Sequence, residues 1–210
     1  MYIVLEGIVG AGKSTQTKKL VEYLSNEYSE VVQVREPGST PIAEDIRYLA
    51  QGKEWEEIMH PLTNAYLYAA ARAQTLHTIV KPALESGKIV VSDRSFLSSL
   101  AYQGEAQGLG FDMILSVNHD AIHDVLPDVI LYMDIDIDTA LSRTFDEAGD
   151  KWESMGKEFF EKIAHGYEKC EKLDLLKDRI VRIDASGSED EIFENIKKII
   201  SSKIRQVKLS

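Results

Sequence analysis

Gly7-Ile8-Val9-Gly10-Ala11-Gly12-Lys13-Ser14 follows an apolar run, Tyr2-Ile3-Val4-Leu5, and leads into a stretch with helical periodicity, Ser14 to Tyr28. The spacing G-x-x-x-x-G-K-[ST] is that of a phosphate-binding loop. Its glycines let successive backbone N–H groups turn inward around an anion, its lysine reaches the outer phosphates, and its hydroxyl holds Mg²⁺. A strand before the loop and a helix after it complete the arrangement, because the helix N-terminus then aims its dipole at the phosphates. Gly7, Gly10, Ala11, Gly12, Lys13, Ser14 and Thr15 are therefore the expected triphosphate-binding residues.

Outward from the loop, strands alternate with helical stretches. Val31-Val32-Gln33-Val34 reads as a second strand stopped by Pro37 and Gly38, and residues 42–51 as a helix. An alanine-rich helix is expected from Pro61 to Glu85, kinked or restarted at Pro82. Ile89-Val90-Val91-Ser92-Asp93 is a third strand. Helices are expected over Ser95–Gln107 and Phe111–Val125, and Pro127-Asp128 introduces a fourth strand, Val129 to Met133. Residues 138–145 begin a helix that runs into the polar interval Asp146 to Lys151, suited to a mobile lid. A helix over Glu158–Leu176, a fifth strand at Ile180-Val181-Arg182-Ile183 and a helix from Glu189 to about Arg205 close the chain. This alternation implies a parallel sheet with helices on both faces and chemistry at the carboxyl ends of its strands.

The totals narrow the partners. The 210 residues suit one domain with a small mobile insertion, 44% hydrophobic and 28% charged. A net charge of −11 argues against nucleic-acid binding, which rests on many Lys and Arg contacts. The single cysteine, Cys170, excludes an intramolecular disulfide and fits a reducing compartment. No run approaches the length of a membrane span, and Met1 starts almost directly on the first strand, so no membrane partner, no targeting segment and a cytoplasmic location are expected.

Three further motifs fall at strand ends beside the loop. Arg35-Glu36-Pro37-Gly38 offers a guanidinium able to grip a phosphate bidentately. Asp93-Arg94 pairs a carboxylate suited to organising Mg²⁺ with a cation suited to a transferring phosphoryl group. Tyr68 and Arg72, one turn apart, can sandwich a base and donate to its edge. Taken singly, each is a solvated turn, a strand-end ion pair or a helix face. Their shared position beside a phosphate loop instead implies two phosphorylated ligands meeting end to end.

Leu5-Glu6-Gly7 through Gln16, the Arg35 turn, Ala70-Ala71-Arg72-Ala73-Gln74, Asp93-Arg94 and Ser98 through Gly104 together resemble the thymidylate kinases, in order over most of the chain. The resemblance implies a three-layer α/β P-loop kinase fold with a five-stranded parallel sheet, one domain over 1–210 and a mobile lid at about 144–157. It implies phosphoryl transfer from ATP with Mg²⁺ to dTMP, in a homodimer. By position, Lys13 and the loop amides would hold the ATP phosphates, with Ser14 on Mg²⁺ and Asp93 ordering the metal's waters. Arg35 and Arg94 would hold the dTMP phosphate, with Arg94 also bridging to the transferred group, and Glu36 beside Arg35 would be a further substrate-binding residue. Tyr68 would stack on thymine, Arg72 and Ser99 would reach its polar edge, and Tyr102 and Gln103 would pack against sugar and base. Arg143 and the loop after Asp184, including Ala185, would lie at adenine.

The chain departs from that pattern at several places, among them Tyr68, which stands for the usual phenylalanine stacker. Val9 stands where the family usually has an aspartate that reads the sugar 3′-hydroxyl, leaving Glu6 or Glu36 as nearby candidates. Ser95 stands where a ring usually follows Asp93-Arg94. Gly10 and the lid also lack the family's transition-state arginine, so Lys151, the one basic residue of Thr144 to Glu153, is expected in the catalytic set, with Lys157 or Arg47 as other candidates. Two other readings stay open from sequence: a deoxynucleoside kinase with Glu36 as base, and a nucleotide-binding regulator that has lost efficient transfer.

Overall fold

The computed structural model describes residues 1–28, 30–52, 56–143 and 155–209. Five strands, β1 (Tyr2–Glu6), β2 (Val31–Arg35), β3 (Ile89–Asp93), β4 (Val129–Asp134) and β5 (Ile180–Asp184), form one sheet in the order β2-β3-β1-β4-β5. Every neighbouring pair is parallel. The central strands β1, β3 and β4 are buried almost throughout, which is why they read as unbroken apolar runs, whereas β2 and β5 at the edges are half exposed. The chain crosses from β1 outward to β2 and β3, then to β4 on the other side. That reversal opens a crevice at the carboxyl ends of β1 and β3, where the phosphate loop, Arg35 and Asp93-Arg94 all emerge.

Helices surround the sheet. The first, α1 (Lys13–Glu27), packs on the last, α9 (Glu189–Leu209). Then α2 (Pro41–Gln51) packs on α3 (Pro61–Thr75), and α3 on α6 (Phe111–Ile122). No helix among the described residues is long and apolar enough to cross a membrane.

The long helix restarts at Pro82 as expected: a π-helical stretch, Leu76–Val80, joins α3 to α4 (Lys81–Glu85), with Pro82 in the first turn of α4. A first-turn proline lacks only an N–H that the wider turn leaves free. The helix expected over Ser95–Gln107 is α5 (Phe96–Ser99), capped by the Ser95 side chain, followed by a π-helical stretch, Leu100–Ala106. After β4 comes α7 (Ile137–Ser142). The next helix, α8 (Lys157–Cys170), stops short of Leu176: a turn closed by Leu173 N–H on the Cys170 carbonyl folds Leu176 back into the core.

Candidate active site

The phosphate loop owes its path to glycine. Gly7, Gly10 and Gly12 have φ of 144°, 77° and 80°, a region costly for other residues, and Gly12 leads directly into α1. Gly7 also passes so close to β4 that a Cβ there would lie 2.7 Å from the Met133 carbonyl oxygen. Within the loop, Lys13 Nζ donates to the Ile8 carbonyl at 2.6 Å, which folds the lysine over the anion cradle. Ser14 Oγ donates to Asp93 Oδ2 at 2.6 Å, so hydroxyl and carboxylate stand together on one wall. Among the described residues no three His, Cys, Asp or Glu side chains converge as a metal cage. A Mg²⁺ carried on nucleotide phosphates requires only one or two protein oxygens besides its waters, and the Ser14–Asp93 pair has that chemistry.

One cleft of about 800 Å³ joins this loop to the two arginine-bearing turns. Its walls include Val9 to Gln16, Arg35, Glu36, Arg47, Gln51, Asp93 and Arg94, with Arg143, Gly187, Ser188, Glu189 and Ile192. Arg35 is steadied by Glu44, 2.6 Å from its Nη2, and the turn is closed by Ser39 Oγ accepting from Arg35 N–H at 2.7 Å. The Glu36–Pro37 peptide is cis. Arg47 Nη1 donates to the Pro37 carbonyl at 3.0 Å. Arg143 Nη1 lies 3.4 Å from the Ala185 carbonyl, which brings α7 and the loop after β5 together beside the phosphate loop.

Arg94 has φ of 75°, a left-handed conformation rare outside glycine, and its N–H donates to the Leu5 carbonyl at 2.9 Å. Nη1 donates to Gly7 O (3.1 Å), Ser98 Oγ (3.0 Å) and Tyr167 OH (3.4 Å), while the guanidinium lies over the Tyr102 ring, 5.3 Å from its centroid. Burial works against the charge of Arg94, but Tyr102, Tyr167, Asp93 and Glu6 around it outweigh that and hold the proton firmly.

A side pocket opens from the cleft, lined by Pro37, Gln51, Tyr68, Arg94, Ser98, Tyr102 and Gln103. It is narrow, about 20 Å³, because Gln51 Nε2 donates to Tyr68 OH at 2.8 Å across it. Arg72 lies behind this pocket with its side chain 2% exposed, not on its wall. Its Nε pairs with Glu36 Oε2 at 2.6 Å, Nη1 donates to Asn118 Oδ1, and Nη2 donates to Ser95 O (3.1 Å) and Ser99 Oγ (3.3 Å). Burial pushes the Glu36 carboxyl up from its usual range, and Arg72 opposes that shift. Gln103 Nε2 is held by Asn64 Oδ1 at 3.1 Å.

Sequence reasoning offered Glu6 as a reader of the sugar hydroxyl, and its placement corrects this. Glu6 is fully buried, and five contacts from Ser95, Ser98 and Tyr167 occupy its oxygens. Val9 is half-buried on the cleft wall. Lys157 is exposed and tied to Asp138 at 2.6 Å, away from the residues lining the cleft. Lys151 and residues 144–154, where a lid is expected from sequence, lie outside the described residues. Sequence reasoning also missed Gln51, Asn118 and Tyr167. Only the i, i+3 spacing of Ser95 and Ser98 after Arg94 offered a local signal of a second ring of support.

A phosphate loop at the switch point of a parallel sheet, facing a second set of arginines across one cleft, defines a P-loop kinase. The family model described as thymidylate kinase matches residues 5–196. Relatives named thymidylate kinase include that of Chlorobaculum tepidum, 40% identical over 212 residues and covering 96% of each chain. Another, from Bacillus velezensis, is 39% identical over 212 residues, covering 100% of this chain and 99% of its own. The crystal structure of thymidylate kinase from Ehrlichia chaffeensis superposes with a TM-score of 0.77 at 29% identity, over 95% of this chain and 98% of that one. The chain belongs to the thymidylate kinase family.

Proposed function

We propose that the protein transfers the γ-phosphoryl group of ATP to dTMP, giving ADP and dTDP. The observation that carries this is the continuity of the cleft: Lys13 and Ser14 of the phosphate loop and the guanidinium-bearing Arg35 and Arg94 line one and the same cavity. In-line transfer needs its donor and acceptor phosphates held end to end, and most of the catalysis is positioning and charge neutralisation.

In this reading Lys13, with the loop amides of Gly7, Gly10, Ala11, Gly12, Ser14 and Thr15, holds the ATP phosphates, and Arg143 and Ala185 flank adenine. Ser14 and Asp93 hold Mg²⁺ and its waters, and the ion supplies neutralisation of phosphate charge. Arg35 and Arg94 grip the acceptor phosphate, with Arg94 turned toward the transferred group. Of the candidates for the missing transition-state cation, Arg47 is the one that the described structure puts on the cleft wall. Tyr68, Tyr102 and Gln103 receive the base once the Gln51–Tyr68 hydrogen bond opens, and Arg72 with Ser99 backs that pocket.

The chain acts as one cytoplasmic domain with a lid over about 144–157. Exposed Ile42, Tyr48 and Leu49 on α2 and Tyr66 on α3 support a homodimer formed through these helices. Presenting dTMP and thymidine separately with Mg-ATP tests the reaction. ADP and dTDP form with dTMP; turnover of thymidine alone would replace this reading with that of a nucleoside kinase.

A further inference from the structure

Glu6, the last residue of β1, sits directly before the phosphate loop yet faces away from the cleft, with no exposed surface. A buried carboxyl survives in a folded protein when its lone pairs are met by donors. Here Oε1 accepts from Ser95 N (2.7 Å), Ser95 Oγ (2.7 Å) and Ser98 N (3.3 Å). Oε2 accepts from Ser98 Oγ (2.7 Å) and Tyr167 OH (2.9 Å). The donors come from the turn after β3, from α5 and from α8, so one side chain ties three segments to the central strand.

The two hydroxyls on Oε2 are the same two that receive Arg94 Nη1, at 3.0 Å from Ser98 Oγ and 3.4 Å from Tyr167 OH. A hydroxyl has one hydrogen to give. The two hydroxyls also lie 3.0 Å from each other, and Tyr167 OH lies 3.4 Å from Gly7 O, but their contacts to Glu6 Oε2 are the shortest; with both hydrogens directed there, the lone pairs of Ser98 and Tyr167 are left for the guanidinium. Burial and the neighbouring Glu6 charge raise the Tyr167 phenol well above its usual range, which keeps it a donor to Glu6.

We infer that Glu6 is a positioning residue for Arg94: it orients the Ser98 and Tyr167 hydroxyls so that both accept from the guanidinium, and it pins the turn that holds Arg94 in its left-handed conformation. The second half rests on the hydrogen bonds either side of that residue. Leu5 O accepts from Arg94 N–H and Glu6 from Ser95 N–H, so adjacent residues of β1 clamp consecutive amides. A non-glycine residue at positive φ persists where its surroundings over-determine it.

The support continues outward. Tyr167 stacks on Tyr132, centroids 5.0 Å apart, and Tyr132 is the β4 residue paired in register with Glu6. Arg182 covers Tyr132, 5.4 Å from its ring centroid. Gly166, beside Tyr167, allows α8 to approach this closely, since a Cβ there would lie 2.7 Å from Ala101 Cα. Ser95, on Glu6 through its N–H and hydroxyl, also offers its carbonyl to Arg72 Nη2 at 3.1 Å.

The inference rests on the reading of Arg94 as the group on the acceptor phosphate. Its test is a double-mutant cycle on the full chain with Mg-ATP and dTMP, alongside equilibrium binding of ADP. Glu6→Gln keeps the size of the side chain, but its amide donates to the hydroxyls and turns their hydrogens toward Arg94. We expect a fall in kcat/KM for dTMP of about 100-fold, the scale of a misplaced catalytic group, with ADP affinity changed by less than about threefold. In an Arg94→Ala background the same substitution should cost less than about threefold, because the group it positions is gone.

Near-normal kcat/KM in Glu6→Gln, or equal losses in the two backgrounds, would overturn the proposal. Should Glu6→Gln fail to fold, Tyr167→Phe serves in its place: it removes one of the two hydroxyls and should lose about 10-fold in the wild-type background and nothing beyond Arg94→Ala. Equal losses there would count against it in the same way. Full activity of Arg94→Ala itself would instead remove the underlying reading of the acceptor site and the inference with it.

Discussion

A Cβ on Gly10 would lie 2.1 Å from the carbonyl oxygen of Ala140, so the phosphate loop touches the backbone of α7 with no room for a side chain. The φ of 77° at Gly10 adds a conformational reason to the steric one. An arginine therefore cannot be restored at this position without moving α7.

Gly10→Ala should be severe for so small a change. Overpacking and a strained φ together cost about 2–4 kcal/mol, and the loop that moves to relieve them loses its anion cradle. Urea denaturation and ADP titration would both report it; a stable variant with native ADP affinity would show that α7 gives way easily.

Lys13→Ala separates function from stability. Lys13 Nζ donates to the Ile8 carbonyl at 2.6 Å, and losing that hydrogen bond should cost on the order of 1 kcal/mol in denaturation. Turnover should fall about 10²- to 10³-fold, as when one donor to a reacting anion is removed. Steady-state kinetics beside a melt checks both halves.

Val9→Asp supplies an acceptor on the cleft wall where the chain now has an apolar half-buried side chain. One added hydrogen bond to the acceptor sugar is worth roughly 1 kcal/mol, and the KM for dTMP should fall about fivefold. An unchanged or higher KM would mean that the hydroxyl is already met by another group or by water.

Glu105 links the stretch bearing Tyr102 and Gln103 to α8 through Lys169, 2.7 Å away, and His165 at 3.0 Å. The Lys169 hydrogen bond, against a smaller effect of burial and with help from His165, holds the Glu105 carboxyl below its usual range. The sign follows from a depressed folded value: the contribution is fully present above the unfolded pKa of about 4.3 and is lost as pH falls through the lower folded value. Lys169 is 44% exposed, so the contribution at neutral pH should be under about 1 kcal/mol. Denaturation of the wild type and Glu105→Gln from pH 7 to pH 3 should show that difference shrinking toward zero below about pH 4.

The donor half of the site was legible because its chemistry is local. Eight consecutive residues specify the loop, and the strand and helix beside it carry their own periodicities. Arg35 and Asp93-Arg94 were legible for a related reason, since a parallel sheet delivers every strand end to one edge. The acceptor half was only partly so. Arg72 reads as a residue at a base edge, but it is buried with bonds to Glu36, Asn118, Ser95 and Ser99, while Gln51 and Gln103 are among the residues lining the pocket.

Sequence alone determined the sheet, the phosphate loop and the residue types gathered at the strand ends, because these follow from short-range periodicity and spacing. Tertiary structure alone decided which of those side chains are free to meet a ligand. Tyr167 is 161 residues from Glu6 and meets it only after α8 docks beside the sheet. Hydrogen-bond commitment and steric exclusion of that kind, including the contact that keeps Gly10 bare, depend on packing between distant segments, which no local pattern encodes.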